Sequence, residues 1–179
     1  MALVVMGVAG CGKTSVAQAI VARMGGCLIE GDTFHPAASV EKMRRGIALT
    51  DEDRGGWLDR LATELRDTAR RDERAVLACS ALKRRYRDQL RRGTPTLGFV
   101  FLRLSQREAL TRVTQRIGHY MPASLVASQF ADLEPPVSEP LSLSVDATLP
   151  VGDIVDQVAR WYAQTVTQEG FRAVTNVTH

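Results

Sequence analysis

The sequence predicts an α/β protein in which a parallel sheet of five strands lies between two layers of helices. Short apolar segments recur along the chain, and amphipathic segments with helical spacing separate them. Strands that are apolar throughout indicate a sheet covered on both faces, which is typical of parallel sheets. The 179 residues are enough for one domain with a buried core.

The first half of the chain alternates strands and helices that stop at glycine. Glycine ends regular structure readily because it adopts backbone conformations that other residues avoid. The predicted elements are strand 2–6 before Gly7, helix 13–24 before Gly25, strand 27–30 before Gly31 and helix 39–45 before Gly46. Thr50 is a predicted N-cap, because three acidic residues follow it and would stabilise the first turn of the next helix. That helix has Leu58, Leu61 and Leu65 on one face.

The second half of the chain continues the alternation. Apolar segments predict strands over 75–79, 97–104 and 141–145. Helices are predicted over 82–91, from Ser105 to about 116, from the break at 118–122 to 133, and over 153–166. The tail 168–179 is polar, so we expect a single domain over 1–167.

Composition excludes several classes of protein. The chain is 45% hydrophobic and 24% charged, which argues against a disordered, collagen-like or disulfide-scaffold protein. The three cysteines are odd in number and far apart, as expected for reduced thiols in a cytoplasmic protein. No apolar run approaches the roughly 20 residues that cross a membrane. The N-terminus also lacks the basic start of a signal peptide.

The positive charge is concentrated in the middle of the sequence. The net charge is only +3, but residues 83–116 contain ten basic and two acidic side chains. Arginine is 20 of the 23 basic residues, and its guanidinium group matches phosphate and carboxylate. This block indicates an anionic partner, with a solvated helix face as the alternative for most of its arginines.

A glycine-rich motif follows the first predicted strand. Residues 7–14 match G-x-x-x-x-G-K-[ST], with the preceding strand and following helix that this phosphate-binding loop (P-loop) requires. We expect Lys13 to reach the β- and γ-phosphates of a nucleoside triphosphate and the Thr14 hydroxyl to ligate Mg²⁺. The residues predicted to contact the nucleotide are Gly7, Val8, Ala9, Gly10, Cys11, Gly12, Lys13, Thr14 and Ser15. Cys11 is either a thiol made acidic by the helix N-terminus and Lys13 or, as we prefer, a small side chain that fits the loop.

The ends of the next two strands indicate the reaction class. Asp32 follows the second strand, at the edge of the sheet where α/β proteins bind ligands, and is placed to accept a proton from an attacking hydroxyl. The alternative is an aspartate that caps a turn. The third strand ends at Cys79 and Ser80 without the carboxylate that helps to hold Mg²⁺ in many ATPases and GTPases. This absence favours a small kinase.

Ordered motifs cover nearly the whole chain and resemble those of the gluconokinases, a family of the P-loop kinase fold. They are M-G-V-A-G-C-G-K-T at 6–14, H-P at 35–36, D-E-D-R at 51–54 with W-L at 57–58, C-S-A-L-K at 79–83, G-H-Y-M at 118–121, S-Q-F at 128–130 and L-E-P at 133–135. The resemblance implies a three-layer fold with a helical lid over about 117–133. It also implies transfer of the γ-phosphoryl group of ATP to the 6-hydroxyl of D-gluconate, and it suggests a homodimer.

The resemblance implies a substrate site at the ends of the second and third strands. We expect it to contain Asp32, His35, Arg54, Ser80, Lys83 and His119. Arg54 either pairs with the carboxylate of gluconate or with a nearby aspartate on the surface. Lys83 either reaches the substrate or belongs to the solvated basic helix. His35 and His119 either contact a ligand or are packed for structural reasons.

Two arginines in the lid region are predicted to serve the nucleotide. Arg112 and Arg116 lie one helical turn apart, so they share a face. We expect both to contact ATP and Arg116 to stabilise the transferring phosphoryl group, as arginine fingers do.

Two other functions compete with this hypothesis. Shikimate and adenylylsulfate kinases have a similar P-loop and size, but the H-P and C-S-A-L-K motifs argue against them. A nucleic-acid-binding protein would use the basic helix at 83–92, but that helix has one aromatic residue, Tyr86, and no binding motif. We expect neither nucleic acid nor a membrane as a partner.

Overall fold

The computed structural model describes residues 1–94, 96–115 and 123–175 and has the predicted parallel sheet at its centre. The strands are β1 (Ala2–Met6), β2 (Cys27–Glu30), β3 (Ala75–Ala78), β4 (Leu97–Arg103) and β5 (Ser142–Asp146). Their order across the sheet is β2-β3-β1-β4-β5, and all four pairings are parallel. The fold class predicted from the sequence is therefore confirmed.

Helices cover both faces of this sheet. They are α1 (Lys13–Met24), α2 (Ala37–Arg44), α3 (Asp51–Arg70), α4 (Arg84–Arg91), α5 (Gln106–Gln115), α6 (Ala123–Asp132) and α7 (Val151–Thr175). Helices α1, α5, α6 and α7 contribute to one apolar cluster, and α3 and α4 contribute to the other. Among the described residues, no helix is long and apolar enough to cross a membrane.

Strand β1 shows why the apolar runs lack alternation. Leu3 and Val5 belong to the cluster on the α1 side, whereas Val4 and Met6 belong to the cluster on the α3 side. All four side chains are fully buried, because a strand at the centre of a three-layer fold has no solvent-facing side.

The strand order places the P-loop at the point where successive strands begin to be added on the opposite side of β1. From β1 the chain moves to β2 and β3 on one side and then crosses to β4 and β5 on the other. The loops after β1 and β3 therefore diverge and leave a crevice at their carboxyl ends, where ligands of α/β proteins bind.

Several predicted boundaries need correction. Helix α4 begins at Arg84, two residues later than expected, because Ala81 has a left-handed φ of 44° and Lys83 is extended. A 3₁₀ turn over Gly31–Phe34 was not predicted. Helix α7 runs to Thr175, whereas the sequence predicted an end at 166. The remaining differences are shifts of one or two residues at the ends of β3, β4, β5, α2 and α6 and at the start of α7.

Candidate active site

The P-loop after β1 has the backbone conformation that its glycines were expected to provide. Gly7, Gly10 and Gly12 have φ angles of 141°, 80° and 91°. At Gly7 a Cβ atom would lie 2.8 Å from both the Cys11 sulfur and the Leu102 carbonyl oxygen. Any side chain there would therefore push the loop away from the sheet edge.

Lys13 begins α1 and folds back over this loop. Its Nζ donates a hydrogen bond to the Val8 carbonyl oxygen at 3.1 Å. The ammonium group thus lies at the mouth of the loop, next to the positive end of the α1 dipole. Thr14 is half-buried in the same turn, and Ser15 is exposed.

The charges of three predicted site residues act on one group, the thiol of Cys79, which directly follows β3. Burial raises the pKa of Cys79 to about 12, and the charges of Asp32, Lys13 and Arg54 all act on the same thiol. These residues come from the 3₁₀ turn after β2, the start of α1 and the start of α3. The tertiary structure therefore brings the three side chains near the carboxyl end of β3.

Asp32 is exposed in the 3₁₀ turn that follows β2. The turn is anchored by Trp57 of α3, whose Nε1 donates to the Gly31 carbonyl oxygen at 2.8 Å. On the other side of the crevice, the Gly7 N–H donates to the Ser80 carbonyl oxygen at 3.3 Å. Both contacts hold the edges of the crevice while leaving the Asp32 carboxylate open to solvent.

His35 and Arg54 have polar atoms that are buried without a protein partner. The His35 ring stacks on Trp57 with 4.1 Å between ring centroids, and its Nδ1 has no hydrogen bond among the described residues. Arg54 is 8% exposed, and its Nε likewise has none within that part of the chain. Burial lowers the pKa of His35, so its imidazole is neutral at pH 7. Buried polar atoms in this state need a partner from water or from a bound polar ligand.

Lys83 has carboxylate partners within the protein. Its Nζ lies 2.9 Å from Asp132 of α6 and 3.3 Å from Asp51 of α3. The hydrogen bond with Asp132 is the main cause of the raised pKa of Lys83. Asp51 also accepts hydrogen bonds from Tyr86 and Arg85. Lys83 therefore ties α4 to α3 and α6 in this state, and its contact with substrate stays a prediction.

The turn between Ser80 and Lys83 is held by a fully buried arginine. Arg87 of α4 donates to the carbonyl oxygens of Ala81 and Leu82, both at 2.8 Å. Its Nε lies 3.0 and 3.1 Å from the two carboxylate oxygens of Glu139. Arg87 is 0% exposed, so this network stabilises the left-handed turn that carries Ser80 beside the P-loop.

Removal of the Arg87 side chain is expected to destabilise the whole domain. We expect Arg87→Ala to lower the free energy of unfolding by about 3–5 kcal/mol, because it leaves the Glu139 charge buried and without its main partner. Chemical denaturation measures this loss. Arg84→Ala, an exposed arginine on the same helix, is the control and should change stability by less than about 1 kcal/mol. Equal stability of the two variants would contradict the role of the buried pair.

The same pair predicts a loss of stability in acid. Burial disfavours the charged form of Glu139, but hydrogen bonds from Arg87 and Arg91 outweigh it and hold its pKa below 4.5. The stabilisation is therefore complete above the unfolded-state pKa and is lost as the pH falls through the lower folded-state value.

Arg112 of α5 lies beside both the P-loop and the loop after β5. Its guanidinium donates to the Gly10 carbonyl oxygen at 3.4 Å and to the Ala147 carbonyl oxygen at 3.0 Å. A cavity of about 280 Å³ opens next to it. The cavity is lined by Arg107, Glu108, Thr111, Arg112 and Thr148. It adjoins the P-loop on the side away from Asp32, since β5 and β2 are the opposite edges of the sheet.

Two predicted residues, Arg116 and His119, lie outside the described residues, as does the first part of the predicted lid.

For Cys11 the structure supports the interpretation as a small side chain that fits the loop, because burial raises the pKa of its thiol despite the opposing charge of Lys13. A buried neutral thiol fits the loop as a small side chain.

Sequence reasoning missed three contacts that shape the site. These are the stacking of Trp57 on His35, the pairing of Asp132 with Lys83, and a hydrogen bond from the Ala9 N–H to Gln129. Trp57 and Gln129 stood in the quoted motifs, but one sequence does not show which distant group a side chain will meet.

The parallel sheet, with the P-loop at its switch point, defines a nucleotide-binding protein of the P-loop kinase class. Residues 3–136 match the family model described as an AAA domain. The chain is 50% identical to a gluconokinase of Gluconobacter oxydans (strain 621H) over 134 residues, which is 75% of each protein. It is 37% identical to the thermosensitive gluconokinase of Escherichia coli (strain K12) over 86% of this chain and 83% of that one.

A solved structure gives the same result in three dimensions. The crystal structure of a gluconokinase from Sinorhizobium meliloti 1021 is 41% identical in sequence, with a TM-score of 0.87 over 96% of each chain. The chain belongs to the gluconokinase family.

Proposed function

We propose that this protein transfers the γ-phosphoryl group of ATP to the 6-hydroxyl of D-gluconate, producing 6-phospho-D-gluconate and ADP. The observation that carries the proposal is a P-loop lysine and a buried, incompletely bonded arginine whose charges both act on the Cys79 thiol after β3, in a chain of the gluconokinase family. The first suits a triphosphate, and the second suits the carboxylate of a sugar acid.

ATP spans the P-loop and the cavity beside Arg112 in this proposal. The N–H groups of residues 7–15 and the Lys13 ammonium bind the phosphates. The cavity between α5 and the loop after β5 receives the nucleoside, with Arg112 between the two parts.

The oxygen ligands that this site offers fit a Mg²⁺ ion that is held mainly by the phosphates of ATP. Thr14 offers one hydroxyl, and the phosphates of ATP and water would supply the remaining ligands. Among the described residues there is no cluster of three or more His, Cys, Asp or Glu that could hold a metal ion. Such a sparse set suits Mg²⁺, which binds phosphates and water with one or two protein groups and would neutralise charge on the phosphates.

Gluconate lies on the opposite side of the crevice, between α3 and the turn after β2. Arg54 binds its carboxylate, and the neutral His35 exchanges hydrogen bonds with its hydroxyls. Asp32 accepts the proton of the 6-hydroxyl as that oxygen attacks phosphorus. Ser80 is assigned to the same side, because its carbonyl oxygen accepts a hydrogen bond from the Gly7 N–H of the P-loop.

The contacts of α4 argue against the alternative that this helix binds nucleic acid. Arg85 pairs with Asp51, Arg87 and Arg91 pair with Glu139, and Arg84 lies 3.9 Å from Asp88. These carboxylates neutralise much of the charge that made this helix a candidate for binding nucleic acid.

A panel of acceptors tests the proposed activity. ADP release should depend on D-gluconate and not on shikimate, adenylylsulfate or neutral polyols, and the product should be the 6-phosphate. Release that depends on shikimate or adenylylsulfate would assign the chain to a sister kinase. A homodimer stays a prediction, which light scattering would test.

Arg54→Ala is expected to weaken binding of the sugar acid selectively. Loss of a charge-assisted hydrogen bond to a carboxylate is worth about 1.5–3 kcal/mol, so KM for gluconate should rise roughly 10- to 150-fold. KM for ATP should change less than about twofold. The control is Arg66→Ala, an exposed arginine further along α3, which should leave both KM values unchanged. An unchanged KM for gluconate in Arg54→Ala would exclude the carboxylate contact.

A further inference from the structure

One side chain from outside the predicted site bonds directly to the P-loop. The Ala9 N–H donates to Oε1 of Gln129 at 2.7 Å, across 120 residues of sequence. Gln129 belongs to α6, which is distant from the loop in sequence and lies beside it only in the folded protein. Its side chain is half-buried.

The partner of Gln129 is a peptide unit that also contacts Lys13. The carbonyl oxygen of the Val8–Ala9 peptide accepts from Lys13 Nζ at 3.1 Å, and the N–H of the same peptide donates to Gln129. In a trans peptide these two groups point in opposite directions across one rigid plane. Lys13 and Gln129 therefore hold the same plane from opposite sides.

The orientation of this plane decides where the lysine lies. Gly7 and Gly10 flank the peptide with φ angles of 141° and 80°, and glycine resists rotation less than other residues. Arg112 fixes the Gly10–Cys11 peptide, the second one after Val8–Ala9, only by a longer bond of 3.4 Å to the Gly10 carbonyl oxygen. Without Gln129, the Val8–Ala9 peptide would lose its strongest hydrogen bond outside the loop.

We propose that Gln129 is a positioning residue that holds the Val8–Ala9 peptide and, through it, the Lys13 ammonium in the place where the triphosphate binds. The inference rests on the ATP-dependent activity proposed above. It concerns the nucleotide side of the site, and it predicts no effect on the acceptor side.

Gln129→Met tests the inference, because methionine keeps the length and helix propensity of glutamine but lacks its carbonyl acceptor. We expect a 3- to 10-fold fall in kcat/KM for ATP, which corresponds to one hydrogen bond. The affinity for ATP, measured by titration calorimetry without an acceptor, should fall by a similar factor. KM for gluconate should change less than about twofold. Gln129→Asn, shorter by one methylene, should show the same losses.

The controls separate positioning from simple stabilisation. Gln106→Met changes an exposed glutamine of α5 and should leave all constants unchanged. If Gln129→Met lowers the melting temperature and raises both KM values together, Gln129 has only a structural role. An unchanged affinity for ATP would also overturn the inference. A wild-type protein that binds ATP but does not phosphorylate gluconate would refute the proposed function. The role of Gln129 would still be decided, because calorimetry compares the ATP affinities of wild type and Gln129→Met without an acceptor.

Discussion

Lys13→Ala is expected to abolish nearly all turnover while the protein stays folded. Lys13 is the first residue of α1, and its ammonium group donates a hydrogen bond to the Val8 carbonyl oxygen. This position is where the β- and γ-phosphates are expected to bind. Removing a preorganised charge of this kind from the site of transfer costs about 10²–10³-fold in kcat, judged from loss of a single oxyanion donor. A steady-state ADP-release assay measures this loss.

The matched control for this variant is Lys42→Ala. Lys42 pairs with Asp53 at 2.7 Å between α2 and α3, and the P-loop assignment gives it no contact with phosphate. We expect Lys42→Ala to retain most of its kcat. If Lys13→Ala turns over at the wild-type rate, the P-loop does not bind the nucleotide in the proposed way.

Asp32→Asn is expected to reduce phosphoryl transfer far more than binding of ATP. Asparagine has nearly the same shape but cannot accept the proton of the attacking hydroxyl, and general-base catalysis contributes about 10²–10⁴-fold. The affinity for ATP should stay within a few-fold of wild type. Single-turnover kinetics with calorimetry of ATP binding separates the two effects.

The control removes a carboxylate of the same kind elsewhere. Asp156 is exposed on α7, and Asp156→Asn should leave transfer and binding unchanged. Equal losses of transfer and ATP affinity in Asp32→Asn would point to a role in binding, including a contact with Mg²⁺, rather than to a base.

The nucleotide half of the site could be predicted because its chemistry is local. The loop, its glycines, Lys13 and Thr14 are contiguous, and the strand and helix on either side follow from apolar periodicity. The N-cap at Thr50 was also predictable, and the structure has the full capping box with Asp53. Each of these features depends on residues within a few positions of one another.

The acceptor half could be predicted only as a set of candidate residues. The motifs placed His35, Arg54 and Lys83 together, but they did not distinguish the environments that the structure shows. Arg54 has a buried Nε without a described partner, whereas Lys83 lies against Asp51 and Asp132. The difference arises from the packing of α3, α4 and α6, which depends on contacts between distant parts of the chain.

Periodicity and contiguous motifs were sufficient to predict the fold class, the position of the P-loop and the family resemblance. Three features became visible only in the folded chain: the charges that act on Cys79, the bonds from Arg87 to the turn after β3, and the bond between the Ala9 N–H and Gln129. The physical reason is that hydrogen bonds and charge interactions act over a few ångströms in space. Residues separated by 120 positions meet only when the sheet and its helices have brought them together.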